Sequence, residues 1–139
     1  IAVFGAKDYQ QAAVIQRMTT DLNLPVKIKI APTCREPDGL AMSSRNTYLN
    51  PSERIQALCL SEALKKAKNL ARTKGAASRV STAMTLIRRR IEQNPDAQID
   101  YLSFFDPKTF KAVTHLRPGV HFALAVRVGS TRLIDNARL

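Results

Sequence analysis

Two short apolar strands flank a helical pattern in the first 31 residues, and that order constrains the fold more than anything after it. "IAVFG" is an apolar run closed by Gly5. From about Tyr9 to Asn23, Val14 or Ile15, Met18 and Leu22 recur at helical spacing. Asn23-Leu24-Pro25 ends the helix, because the residue before a proline is steered out of the α region. "VKIKIA" then alternates Val26, Ile28 and Ile30 with Lys27 and Lys29, as a half-buried strand does. Strand, turn, helix, strand is the unit of a parallel sheet. Two strands are too few to stand alone. Residues 1–33 are therefore expected to be the last part of a larger α/β domain, and a chain that opens on a strand without methionine is expected to be a piece of a longer one.

The rest reads differently. Residues 32–50 form a loop with Pro32, Pro37 and an Asp38-Gly39 turn. Asn50-Pro51-Ser52-Glu53 has the chemistry of a helix start: a capping amide, proline at the first position and an acid in the first turn. That helix is expected to run to about Arg72 and to stop at Lys74-Gly75, with Leu60, Ala63, Leu64, Ala67, Leu70 and Ala71 on its core face. A second helix, from about Ser78 to Gln93, aligns Val80, Met84, Ile87 and Ile91. Strands follow at 98–106, 120–128 and 131–136, the last two joined by a Gly129-Ser130 turn, with a short helical piece expected near Lys108 to Leu116. The expected class is α+β: residues 34–139 place helices on one face of a small three-stranded antiparallel sheet.

The net charge of +11 raises nucleic-acid binding. From Glu62 to Glu92 there are nine basic and two acidic residues, so +7 of it lies on two amphipathic helices. No aromatics interleave there, and a solvated helix face accounts for the charge, so no nucleic-acid partner is expected. An apolar fraction of 45% and a charged fraction of 24% belong to a soluble globular domain. No run approaches the roughly 20 apolar residues of a membrane span, and no secretory pattern opens the chain. Cys34 and Cys59 lack metal-ligand spacing and are expected to be free, buried thiols in a reducing cytoplasm.

Two stretches can carry chemistry. In "FGAKDYQQ" a glycine ends a parallel strand and the next residues stand at the mouth of a helix, where anions are favoured. Lys7 can meet a phosphate as a point charge, and Gln11 can direct an amide at a hydroxyl or carboxylate. Asp8 can hold a ribose hydroxyl, orient Lys7 or cap the helix. In "MSSRN", Ser43 and Ser44 offer hydroxyls and Arg45 a planar guanidinium suited to phosphate oxygens. Alternatively, the serines satisfy backbone groups and Arg45 is solvated.

Together, "FGAKDYQQ", "LNLPV", "PTCREPDGLAMSSRN", the following "YL", "P" and "ER", and the closing "RVGSTRLIDN" resemble the pantothenate synthetase (pantoate–β-alanine ligase) family along essentially the whole chain. The resemblance implies a Rossmann-like nucleotide-binding domain followed by a smaller lid domain, with residues 1–33 the last β-α-β piece of the first and 34–139 the second. It implies ATP-dependent joining of pantoate to β-alanine through a pantoyl-adenylate, with release of AMP and pyrophosphate, in the biosynthesis of coenzyme A. The implied ATP site comprises Gly5, Ala6, Lys7, Asp8, Cys34, Met42, Ser43, Ser44 and Arg45. Lys7, Ser43, Ser44 and Arg45 act in catalysis, and Gln11 binds pantoate. The "MSSRN" segment is similar in role to the mobile KMSKS loop of class I aminoacyl-tRNA synthetases.

Mg²⁺ is expected with ATP, and no metal ligands are expected on the chain. The full-length enzyme is expected to be a cytoplasmic homodimer. Family members commonly carry glutamate at the position of Ala6 and valine at that of Cys34. The family's phosphate-gripping histidine motif and a second glutamine for pantoate have no counterpart here. His115 and His121 are expected in surface or packing roles, and the chain alone is expected to be inactive. The competing readings are a related enzyme adenylating another small acid, and a basic nucleic-acid-binding module.

Overall fold

The computed structural model describes residues 1–72 and 79–139. β1 (Ala2–Gly5) and β2 (Ile28–Ala31) pair in parallel, joined through a 3₁₀ turn (Ala6–Asp8) and α1 (Tyr9–Asp21). The helix ends where Asn23 takes a left-handed conformation, which asparagine tolerates better than most residues. Its apolar stripe lies open: Val14 is 60% exposed, Met18 45% and Leu22 64%.

A second 3₁₀ turn (Ser44–Tyr48) leads into α2 (Pro51–Ala57) and α3 (Cys59–Ala71). The start is a complete capping box: the Glu53 N–H donates to Asn50 Oδ1 and the Asn50 N–H to Glu53 Oε2, both at 2.9 Å. The single helix expected from Pro51 is two, broken at Leu58, and the expected stop at Lys74-Gly75 lies outside the described residues. α4 (Val80–Ile91) ends before the expected Gln93, and the expected start near Ser78 lies outside the described residues. α3 and α4 bury Leu60, Leu64, Ile87 and Ile91 against one face of the antiparallel sheet β3 (Ala97–Phe105), β4 (His121–Val128) and β5 (Thr131–Arg138), ordered β3-β4-β5. Phe104, Phe122, Leu124, Val126 and Leu133 complete that core. The architecture is α+β.

The helical piece expected near Lys108 to Leu116 is absent. Asp106 captures the backbone instead: its carboxylate accepts from the N–H groups of Lys108 and Thr109, and its carbonyl from that of Phe110. These are the bonds of a capped first turn, and the turn goes no further than Phe110. Phe110 closes it at a φ of 57°, costly for a bulky residue.

Candidate functional site

The sheet has a second face. Strand alternation sends Tyr101, Ser103 and Phe105 of β3, His121, Ala123 and Ala125 of β4, and Arg132, Ile134 and Asn136 of β5 away from the helices. The small Ser103 and Ala123 leave room in the middle of it. The mouth of α1 sits over that space, and the two enclose an open cleft of about 770 Å³ lined from one side by Lys7, Asp8, Tyr9 and Gln11 and from the other by Tyr101, Ser103, Arg132 and Ile134. Lys7 also lines a small adjoining crevice with Ala41, Ser43 and Asn46. One lysine thus stands between the two sequence stretches.

At the mouth, Gly5 ends β1 and Ala6, Lys7 and Asp8 form the 3₁₀ turn. The Asp8 side chain makes no capping bond to α1, so capping, one of its three open roles, is not used. The turn is fastened to the sheet from below. Asn136 Nδ2 donates to the carbonyls of Ala6 (3.0 Å) and Lys7 (2.7 Å), while Asn136 Oδ1 lies 2.9 Å from Nε2 of the buried His121. The Tyr9 ring stacks on the His121 imidazole at 3.8 Å and leans on Phe105 and Phe110. Burial pushes the His121 pKa below its ordinary value and raises that of Tyr9. His115 is exposed, beside Thr114.

The loop carrying "MSSRN" is more ordered than its composition implied. The Met42 N–H donates to the Cys34 carbonyl at 3.0 Å, and Arg35 bridges to Ala41, making a small hairpin. Arg35 then reaches β5: Nη1 and Nη2 donate to the two oxygens of Asp135 at 2.7 and 3.0 Å, with the Asp135 side chain only 1% exposed. Arg54 of α2 holds Glu36 and Asp38 at 2.7 and 2.6 Å, and its hydrogen bonds lower the pKa of both carboxylates. Buried Asn46 donates to Glu36 and to the Ala41 carbonyl. Ser43 Oγ accepts from the Arg45 N–H at 3.3 Å, so part of its hydroxyl chemistry serves the turn. Met42, Ser44 and Arg45 are exposed, free to face an anion. Cys34 is exposed too, against the expectation of burial; Cys59 is buried, its thiol pushed up to about 12.

Among the described residues no group of three His, Cys, Asp or Glu side chains can hold a metal ion, and no helix is long and apolar enough to cross a membrane. The donor set at the mouth is one lysine, one carboxylate and amides, which fits an anionic ligand and does not fit a resident metal. Arg35, Asn46, Asp135 and Asn136 escaped the sequence reading, although all four lie inside the quoted "TCREPDG", "MSSRN" and "RLIDN" stretches.

A helix mouth bearing a lysine thus faces an open sheet side and adjoins the loop that carries Ser43 and Arg45. Comparison with known proteins gives the family. The pantoate–β-alanine ligase family model matches residues 1–138. Pantothenate synthetase of Trichlorobacter lovleyi is 50% identical over 138 residues, 99% of this chain and 48% of that protein; the Geobacter sulfurreducens enzyme is 49% identical over the same shares. A crystal structure of pantothenate synthetase from Thermus thermophilus superposes with a TM-score of 0.88 at 39% identity, covering 99% of this chain and 49% of that one. A Francisella tularensis pantoate–β-alanine ligase, complexed with beta-gamma ATP and β-alanine, superposes at 0.64 with 27% identity, covering 98% and 42%. The chain belongs to the pantoate–β-alanine ligase family and spans about half the length of the curated relatives it matches.

Proposed function

We propose that this chain supplies one wall of the active site of an enzyme that condenses pantoate with β-alanine, driven by ATP. The observation that carries the reading is Lys7, which lines both the cleft under the sheet and the crevice beside Ser43. In the first step a pantoate carboxylate oxygen attacks the α-phosphorus, the bond to the bridging oxygen breaks, and pyrophosphate leaves. Negative charge gathers on the phosphates as it does so. Lys7 and Arg45 would offset that charge, with Ser43 and Ser44 donating hydroxyls, and donors aimed at developing charge are the largest common term in such catalysis. Mg²⁺ arrives as part of the nucleotide substrate. In the second step the β-alanine amine attacks the acyl carbon, AMP leaves, and the amine loses a proton. Exclusion of water protects the adenylate meanwhile. Gln11, in the cleft beside Lys7, directs its amide at pantoate; Gly5, Ala6, Asp8, Cys34 and Met42 complete the nucleotide's surroundings.

On this reading residues 1–33 belong with the nucleotide-binding domain and 34–139 form the lid, in a whole enzyme about twice as long. The whole enzyme should form AMP only with ATP, pantoate and β-alanine together, and exchange pyrophosphate into ATP with pantoate alone. The chain by itself should do neither. Exchange supported by another small acid and not by pantoate would replace the proposed substrate while keeping the adenylation.

A further inference from the structure

The amide of Asn136 has one orientation available. Two carbonyl oxygens, of Ala6 and Lys7, stand 3.0 and 2.7 Å from one end of it, and carbonyls only accept. That end must be the NH₂, and both of its hydrogens are used. The other end is therefore oxygen, and it faces His121 Nε2 at 2.9 Å, so Nε2 carries the proton. His121 Nδ1 is buried and without a partner, which fits a bare lone pair and leaves no acceptor for a second ring proton. The two residues are diagonal neighbours on the sheet's second face: His121 pairs with Arg138, two positions beyond Asn136. The Tyr9 ring, 3.8 Å away, covers the imidazole. Sheet, imidazole, amide and turn thus form one chain of contacts ending on the peptide of Lys7.

We infer that Asn136 is a positioning residue for the adenylation step, with its amide held by the Nε2–H tautomer of His121 and clamping the Ala6–Lys7 turn so that Lys7 points into the cleft. This rests on the function proposed above. It adds that the lid sheet, and not the parallel strands alone, sets where the lysine lies. Loss of the clamp leaves the lysine's charge present but misplaced, and a misplacement of about 1 Å can cost on the order of a hundredfold in rate.

The test compares Asn136→Ala, His121→Phe, Lys7→Ala and the double variant Lys7→Ala/Asn136→Ala in the whole enzyme. Asn136→Ala should lower kcat by roughly ten- to a hundredfold with KM for ATP within about threefold, the signature of an interaction made mainly in the transition state. His121→Phe keeps a ring under Tyr9 and removes only the donor, so it should shift kcat in the same direction by a smaller factor. The double variant should be no slower than Lys7→Ala. Full turnover in Asn136→Ala, or losses that multiply in the double variant, would overturn the inference while leaving the function intact. Nitrogen-15 spectra of this chain give an independent readout. A protonated Nε2 and a bare Nδ1 at neutral pH are expected, and the opposite tautomer would refute the clamp. If the whole enzyme made no AMP from any acid, the proposed function would fall, and the clamp would still stand or fall on that spectrum.

Discussion

Replacing Arg35 with alanine should cost well beyond the loss of an ordinary surface bridge. Asp135 lies on the helix-facing side of β5 between Leu133 and Ala137, and its side chain is 1% exposed. Without Arg35 the carboxylate keeps a single close donor, the Asn136 N–H at 2.8 Å. Removing one partner of a fully buried pair costs about 3–5 kcal/mol, because the remaining charge is left uncompensated. Arg35 is 32% exposed, and water reaching its side of the pair screens part of the interaction, so about 2–3 kcal/mol is the appropriate figure here. At roughly 4 °C per kcal/mol for a chain of this size, Tm should fall by about 8–12 °C. Urea unfolding followed by circular dichroism reads the change as a lower midpoint at unchanged slope. The pair Arg35→Met/Asp135→Leu should recover most of the loss, since burying neither charge avoids the penalty. Amide exchange should also quicken at residues 34–42, whose hairpin loses its tie to β5. A loss below about 0.5 kcal/mol in Arg35→Ala would place the pair among ordinary surface bridges and refute the idea that it anchors the loop.

Four further outcomes follow from the geometry. Arg45→Ala in the whole enzyme should slow adenylate formation by about 2–4 kcal/mol of barrier, roughly 30- to 1000-fold, with a smaller change in ATP affinity; equal changes in both would make Arg45 a binding residue only. Gly129→Ala should destabilise by about 1–2 kcal/mol in urea, because φ is +56° and the new Cβ would run into the Glu53 carboxylate that closes the capping box. The folded state depresses the His121 pKa below 6.5, chiefly through burial, so the unfolded chain binds the proton more readily. That contribution to stability is complete above pH 6.5 and is lost as pH falls through the lower folded value; His121→Phe should flatten this part of an unfolding-versus-pH curve. Iodoacetamide at about pH 8, near the ordinary thiol pKa, should label Cys34 and spare Cys59 until denaturant is added, as mass spectrometry would show, since Cys59 is buried with its thiol pushed up to about 12.

Local chemistry made some elements legible and left others dark. The start of α2 could be read from four residues because Asn50, Pro51 and Glu53 satisfy the helix terminus among themselves. The β-α-β order and the closing hairpin were legible for the same reason: periodicity and turn residues act within a few positions. Residues 108–116 misled because a helical tally cannot see that the backbone leaves the helical region at Phe110, after one turn capped by Asp106. The α1 stripe of Val14, Met18 and Leu22 has helical spacing, yet it remains open because β1 and β2 are the only parallel strands among the described residues and do not reach across it.

The site divides along the same line. Lys7, Gln11, Ser43 and Arg45 announce themselves because each belongs to a short run whose residue types suit an anion. The groups that place them do not, since Arg35 and Asp135 are separated by 100 residues and Asn136 and Ala6 by 130. No window reads across such spans, but β5 carried a hint. Period two puts Leu133, Asp135 and Ala137 on the core side, and a carboxylate in that row demands a buried partner. The opposite row runs Arg132, Ile134, Asn136 and Arg138, with Asn136 diagonal to a histidine on the neighbouring strand, where an amide would find no reason to be buried unless something polar lay above it. What lies above it is the turn that carries Lys7. The two polar residues of "LIDN" thus face opposite ways from one strand, Asp135 holding the arginine-bearing loop and Asn136 the lysine-bearing turn. A shift of β5 by one residue would exchange the two faces and release both.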